Sequence, residues 1–168
     1  SHPIDPRKSS YAISKTGGEF YIMLSGLDYV SFRLANAYGP RNLSGPLPTF
    51  YSRLTTGKPC FVMDTRRDFV FVDDMVDTIE KALDGRGESG PYNLSTGSDF
   101  SIKELFDLTI KALGITLEKD VEVRPRNPDD VATILLDPSK TLEAYGAIPS
   151  YPLEEGIRRT IEYYKQYG

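Results

Sequence analysis

One cysteine and one histidine in 168 residues narrow the chemistry at the outset. Cys60 alone excludes an intramolecular disulfide; it stands in an apolar run and is expected to be a buried, inert thiol. His2 lies at the terminus and is assigned no role, and no His or Cys completes a metal site beside the paired carboxylates Asp129 and Asp130, which are read as arginine partners or caps. Positive charge is also in short supply. Twenty basic side chains against 24 acidic ones leave a net charge of −4 and a pI near 5.1, which argues against nucleic acid and against a membrane surface as partners. No apolar run approaches the ~18 residues of a membrane span, and no signal-like segment stands out, so a cytoplasmic location is expected.

A further absence is more specific. A dinucleotide is held by a glycine-rich turn between a first strand and a helix, where backbone N–H groups and the helix N-terminus meet the pyrophosphate. The only letter match is Gly85-Arg86-Gly87-Glu88-Ser89-Gly90. It follows a helical pattern and precedes a strand pattern, and Glu88 would set a negative charge against phosphate, so it reads as a helix-to-strand connection with Gly85 ending the helix.

What is present suits one α/β domain. The chain is 39% hydrophobic and 26% charged with a mean hydropathy of −0.35, enough for a single core burying roughly 70% of the unfolded surface. The hydrophobic period alternates between helix and strand. Ser9 or Ser10 caps a helix to about Ser25, and YVSFRLA (29–35) is a strand. Residues 46–56 form a short helix, FVFV (69–72) is a buried strand, and Asp73 or Asp74 caps a helix to Leu83. PYNLS supplies a strand, Ser101 and Glu104 make a capping box for a helix ending near Gly114, and VEVRP (121–125) is a short strand. Two helices close the chain, one starting at Asp137 and one from Pro152 with Leu153, Ile157, Ile161 and Tyr164 on a single stripe. No repeat or linker divides it.

The chemistry-bearing stretch is YAISK, Tyr11 to Lys15. A tyrosine and a lysine four apart share one helix face, and an adjacent ammonium favours the phenolate of a group that otherwise titrates near pH ~10. Such a pair alone means little, because this composition produces about 0.6 of them by accident. The order YAISKTGGE, RLANAYGPR (33–41), RDFVFVDD (67–74), PYNLSTG (91–97) and DPSK (137–140) carries more weight. In that order and approximate spacing the chain resembles an extended short-chain dehydrogenase/reductase (SDR) of the NAD-dependent sugar-nucleotide epimerase/dehydratase type, and within it bacterial UDP-glucose 4-epimerase-like enzymes of surface-polysaccharide synthesis.

The resemblance runs from about Pro3 to Gly168 and covers roughly the C-terminal half of a typical member. It implies the C-terminal part of a Rossmann-like fold (residues 1–40) plus, mainly in residues 41–168, a small α/β substrate-binding lobe, without the N-terminal glycine-loop half. It makes Tyr11 the catalytic acid/base and Lys15 the group that binds the nicotinamide ribose and tunes it, with Ala35 beside the nicotinamide and Asn36 on the sugar nucleotide. Arg67 would hold the diphosphate. A surface ion pair with Asp68 or Asp64 is its alternative role, and for Arg66 the favoured one. Arg124 and Arg126 compete as a second diphosphate ligand, with Arg126 favoured. Residues 59–66 would lie by the nucleotide base. NAD is the implied cofactor, and a UDP-linked sugar nucleotide the implied substrate. A homodimer is implied for the full-length protein. The implied reaction is 4-epimerisation through a 4-keto sugar; a 4,6-dehydratase, and a substrate-binding fragment without turnover, are the alternatives.

Overall fold

The computed structural model describes residues 10–127, 130–146 and 151–167; His2, Ser9 and Asp129 lie outside them. Helix α1 (Ser10–Leu24) leads into β1 (Val30–Leu34), which pairs in parallel with β5 (Gly90–Leu94) from Val30↔Gly90 to Leu34↔Leu94. The strand expected over 29–35 forms as β1, and a second strand that the sequence did not announce follows at once. The Ala35 N–H donates to the Leu94 carbonyl at 3.0 Å, and the next residue already belongs to another sheet. Strand β2 (Asn36–Tyr38) pairs in parallel with β4 (Arg66–Phe71), Asn36 opposite Phe69. Ala35 is thus the crossing point between two sheets.

Strand β4 is longer than the FVFV run suggested. Its four residues from Asp68 are all buried, as in a strand covered on both faces. Strand β6 (Asp99–Ser101) runs antiparallel along one edge of its first half, and β8 (Thr133–Ile134) runs parallel along the other. A separate parallel pair joins β3 (Phe61–Met63) to β7 (Glu122–Arg124).

The remaining helices are α2 (Pro46–Thr55), α3 (Val72–Leu83), α4 (Ile102–Leu113), α5 (Ser139–Tyr145) and α6 (Leu153–Tyr167). The capping box on α4 forms as expected, with Ser101 and Glu104 exchanging bonds, and Gly114 ends the helix at φ +71°. Neither Asp73 nor Asp74 caps α3. Strand β4 runs straight into the helix, Phe71 takes the cap position without a side-chain bond, and both carboxylates fall in the first turn, where they face the positive end of the helix dipole. Asp137 precedes α5 by two residues and accepts from the Ser139 amide at 2.9 Å. Gly85 follows α3, and the Gly85–Gly90 run connects α3 to β5.

The core gathers Tyr38, Leu47, Phe50, Phe69, Phe71, Leu105 and Phe106 against the Leu153, Ile157, Ile161 and Tyr164 stripe of α6. Each such side chain contributes about 1.5–3 kcal/mol relative to exposure. Phe50 and Phe106 meet edge-on with ring centres 5.0 Å apart. Two glycines are required by close approach: a Cβ on Gly39 (φ +151°) would lie 2.5 Å from Val72 Cγ1, and one on Gly156 would lie 2.1 Å from the Tyr38 hydroxyl. Cys60, expected to be buried, is only half-buried because it precedes the short strand β3 rather than entering the core, although desolvation still raises its thiol pKa. Helix α1 has no buried residue and exposes Ile13, Phe20, Ile22, Met23 and Leu24. Arg33 of β1 reaches it, donating through Nε and Nη2 to the two carboxylate oxygens of Glu19 and held above its usual pKa by that bond. Among the described residues, no helix is long and apolar enough to cross a membrane and no cluster of side chains could hold a metal ion.

Candidate active site

The switch from β1 to β2 opens a cleft of about 770 Å³ at the carboxyl end of β1, the edge where α/β sheets place their ligands. Tyr11 from α1, Ala35 and Asn36 from the switch, Arg41 from the turn after β2, and Ile134 from β8 all line it. Three of the residues singled out in the sequence are therefore brought to one place. Tyr11 is 69% exposed, and Lys15, one turn along α1, sets its ammonium 5.4 Å from the Tyr11 ring centre. The Asn36 side-chain amide donates to the Asp68 carbonyl at 3.1 Å, which fixes it against β4. Tyr38, two residues on, also reaches the cleft; burial, with a contribution from nearby Asp74, pushes its phenol well above the usual range and keeps it neutral.

Arg67 lies on β4 two residues before the partner of Asn36. Its guanidinium donates to the carbonyls of Arg66 (2.8 Å) and Val131 (2.9 Å) and pairs with Asp130 at 2.9 Å, leaving the side chain 13% exposed. Arg126 donates to the Asp130 carbonyl at 2.7 Å, so Arg67 and Arg126 converge on one residue. Arg124 does not join them: it pairs with Glu122 and stacks 3.9 Å from the centre of the Phe61 ring. Arg66 makes the surface ion pair expected of it, with Asp99.

One expectation changes. The partner of Arg67 is Asp130, neither Asp68 nor Asp64. Neighbours on a strand point to opposite faces, so Asp68 turns away from Arg67, is fully buried, and accepts from the Thr96 amide (3.1 Å), the Thr96 hydroxyl (2.7 Å) and the Gly97 amide (3.3 Å). That alternation was readable in the sequence, whereas the arrival of β8 beside Arg67, through an Arg66 amide bond to the Ala132 carbonyl at 2.8 Å, was not. Arg41 had only the letter sequence of a turn to mark it.

Residues 1–160 match the family model described as GDP-mannose 4,6 dehydratase. The chain is 33% identical over 175 residues to UDP-glucose 4-epimerase of Mycolicibacterium smegmatis, covering 97% of this chain and 55% of that protein. It superposes with a TM-score of 0.93 on Bordetella bronchiseptica WbmH in complex with NAD+, at 49% identity, covering all of this chain and 56% of the other. The match to WbmG of the same organism, in complex with NAD and UDP, has a TM-score of 0.90 at 40% identity and covers 100% and 56%. Other relatives are dTDP-glucose 4,6-dehydratases. The chain spans about half the length of the relatives it matches, corresponding to the C-terminal half of their mixed α/β fold. It belongs to the GDP-mannose 4,6 dehydratase family, and so to the extended short-chain dehydrogenase/reductases that act as sugar-nucleotide epimerases and dehydratases.

Proposed function

We propose that this chain supplies the acid/base residue and the sugar-nucleotide site of an NAD-dependent enzyme that epimerises a UDP-hexose at C4. The observation that carries the reading is the convergence of Tyr11, Ala35 and Asn36 on one cleft, with Arg67 on the strand beside Asn36. The nucleotide diphosphate takes Arg67 and Arg126, and the hexose lies by Asn36. Tyr11 removes the proton from the 4-hydroxyl and returns it, with the Lys15 ammonium one turn away on the same helix. Lys15 and Ala35 would hold the nicotinamide end of NAD, which would supply the hydride acceptor and donor for C4. The Lys15 ammonium beside the Tyr11 ring and the small side chain of Ala35 at the sheet crossing suit that end of the cofactor. No strand–glycine turn–helix cradle for its pyrophosphate occurs among the described residues, consistent with a chain that spans half of its relatives. In this reading residues 1–40 finish the NAD-binding part, 41–168 form mainly the sugar-nucleotide lobe, and the full-length protein is a homodimer.

The dehydratase relatives keep 4,6-dehydration as the second reading. The test is calorimetric titration of the protein with UDP-glucose, followed by product analysis of the full-length enzyme in the presence of NAD. Binding lost in Arg67→Ala, and a product of unchanged mass with inverted C4, are expected. Wild-type affinity in Arg67→Ala would overturn the diphosphate assignment, and a product lighter by one water would replace epimerisation by dehydration.

A further inference from the structure

Arg41 departs from local rules at the lip of the cleft. The Asn42 amide donates to the Gly39 carbonyl at 3.2 Å and closes a four-residue turn. Pro40 at its second position has φ fixed negative, while Arg41 at its third has φ +66°, a combination that defines a type II turn. Glycine or asparagine normally fills that third position, because a side chain there is strained. Arg41 is the one non-glycine residue with positive φ among the described residues.

The turn is fixed to the body of the protein. Asn42 donates to the Ala37 carbonyl (3.3 Å), accepts from the Ser44 amide (3.0 Å), and receives the Tyr164 hydroxyl on its own carbonyl (2.6 Å). Yet the guanidinium that this scaffold presents has no hydrogen-bond or ion-pair partner among the described residues, whereas Arg33 and Arg53 on either side in sequence are both engaged. A solvated arginine has no need of a strained, braced root; strain held in place at a cleft is a mark of function.

Register says what Arg41 would meet. Asn36 pairs with Phe69 and Tyr38 with Phe71, so Arg67 lies about 7 Å behind Asn36 along the strands and the end of β2 about 7 Å ahead of it. Arg41 follows that end. A sugar nucleotide with its diphosphate on Arg67 and its hexose at Asn36 therefore points the far edge of the hexose at Arg41.

We propose that Arg41 is a specificity residue that pairs with a carboxylate on the far edge of the hexose, which makes a UDP-hexuronate-type substrate preferred over a neutral UDP-hexose. The inference rests on the proposed binding of the diphosphate at Arg67. A guanidinium fork suits a carboxylate, and a phosphate of the dinucleotide is the other anion with the same chemistry. The test is calorimetric titration of the wild type, Arg41→Gly and Arg41→Asn with UDP-glucuronate, UDP-glucose and NAD separately. Both substitutions suit the positive φ, so a loss of folding is not expected from either. The expected result is at least about tenfold tighter binding of UDP-glucuronate than of UDP-glucose by the wild type, with the ratio falling to about one in both variants. No preference in the wild type, or a preference that survives in the variants, overturns the role of Arg41 while leaving the diphosphate site standing. Weakened NAD binding in the variants with an intact sugar preference reassigns Arg41 to the dinucleotide. Absence of binding to both UDP-sugars overturns the site reading, and the role of Arg41 with it.

Discussion

Replacing Asp68 by asparagine tests how the site is held. The carboxylate is fully buried between β4 and the 96–97 turn and accepts three bonds, two at one oxygen from Thr96 and one at the other from Gly97. Asparagine keeps the shape but has a single acceptor oxygen. If that oxygen serves Thr96, the new NH2 group faces the Gly97 N–H, donor against donor. One charge-assisted bond is lost, about 1.5–3 kcal/mol, and at least one buried donor is left unpaired, about 1–3 kcal/mol, with some overlap between the two. The expected loss is about 2–4 kcal/mol, read as a lower urea midpoint with an unchanged m-value and a fall in Tm of roughly 5–15 °C. Thr96→Val removes the hydroxyl bond to Asp68 together with the bond that the Ser98 amide donates to that hydroxyl (3.2 Å) and should cost about 1–3 kcal/mol, less when added to Asp68→Asn because both act on one network. Stability of Asp68→Asn within about 0.5 kcal/mol of the wild type would refute the idea that this carboxylate fastens β4 to the turn after β5.

Gly156→Ala should destabilise even though alanine favours helix by about 1 kcal/mol, because the new Cβ lands 2.1 Å from the Tyr38 hydroxyl and 2.9 Å from the Phe71 ring, and overpacking costs about 1–3 kcal/mol. Removing that hydroxyl in Tyr38→Phe/Gly156→Ala should recover part of the loss in chemical denaturation; a stabilised Gly156→Ala would contradict the packing. Tyr164 is pushed up to about 12 by burial. Its folded pKa thus lies above the unfolded value of about 10, so its contribution is complete below pH ~10 and disappears as the pH rises through ~12. Denaturation midpoints should fall less steeply over that window in Tyr164→Phe than in the wild type, and identical slopes would argue against a buried phenol there.

Local pattern and tertiary pairing divide what the sequence discloses. The α4 box at Ser101 and Glu104 and the α6 stripe from Leu153 to Tyr164 depend on spacing within one element, and both were legible. The sheet crossing at Ala35 was not, since 29–35 reads as one strand with nothing to mark a second beyond it, and only the competing partners, β5 for Leu34 and β4 for Asn36, set the crossing. Strands β3, β6 and β8 are two or three residues long, too short for a period to declare itself, and each exists because a longer strand or another short one accepts it. In the same way Tyr11 and Lys15 were a visible pair, whereas the meeting of Arg67 and Arg126 at Asp130 depends on β8 docking beside β4.

That meeting bears on how the two arginines would share a diphosphate. Arg67 is 13% exposed and already donates to three backbone carbonyls, so much of its desolvation and rotamer freedom is given up in folding, before any ligand arrives. In the proposed reading a phosphate has only to displace the Asp130 carboxylate, one anion for another, from a guanidinium that stays in place. Arg126 is exposed and bonded to a carbonyl of the same residue, so it would have to be ordered at the time of binding. Of the two, pre-organisation would in that reading make Arg67 the larger contributor to affinity, and Asp130 the residue whose release the ligand must drive.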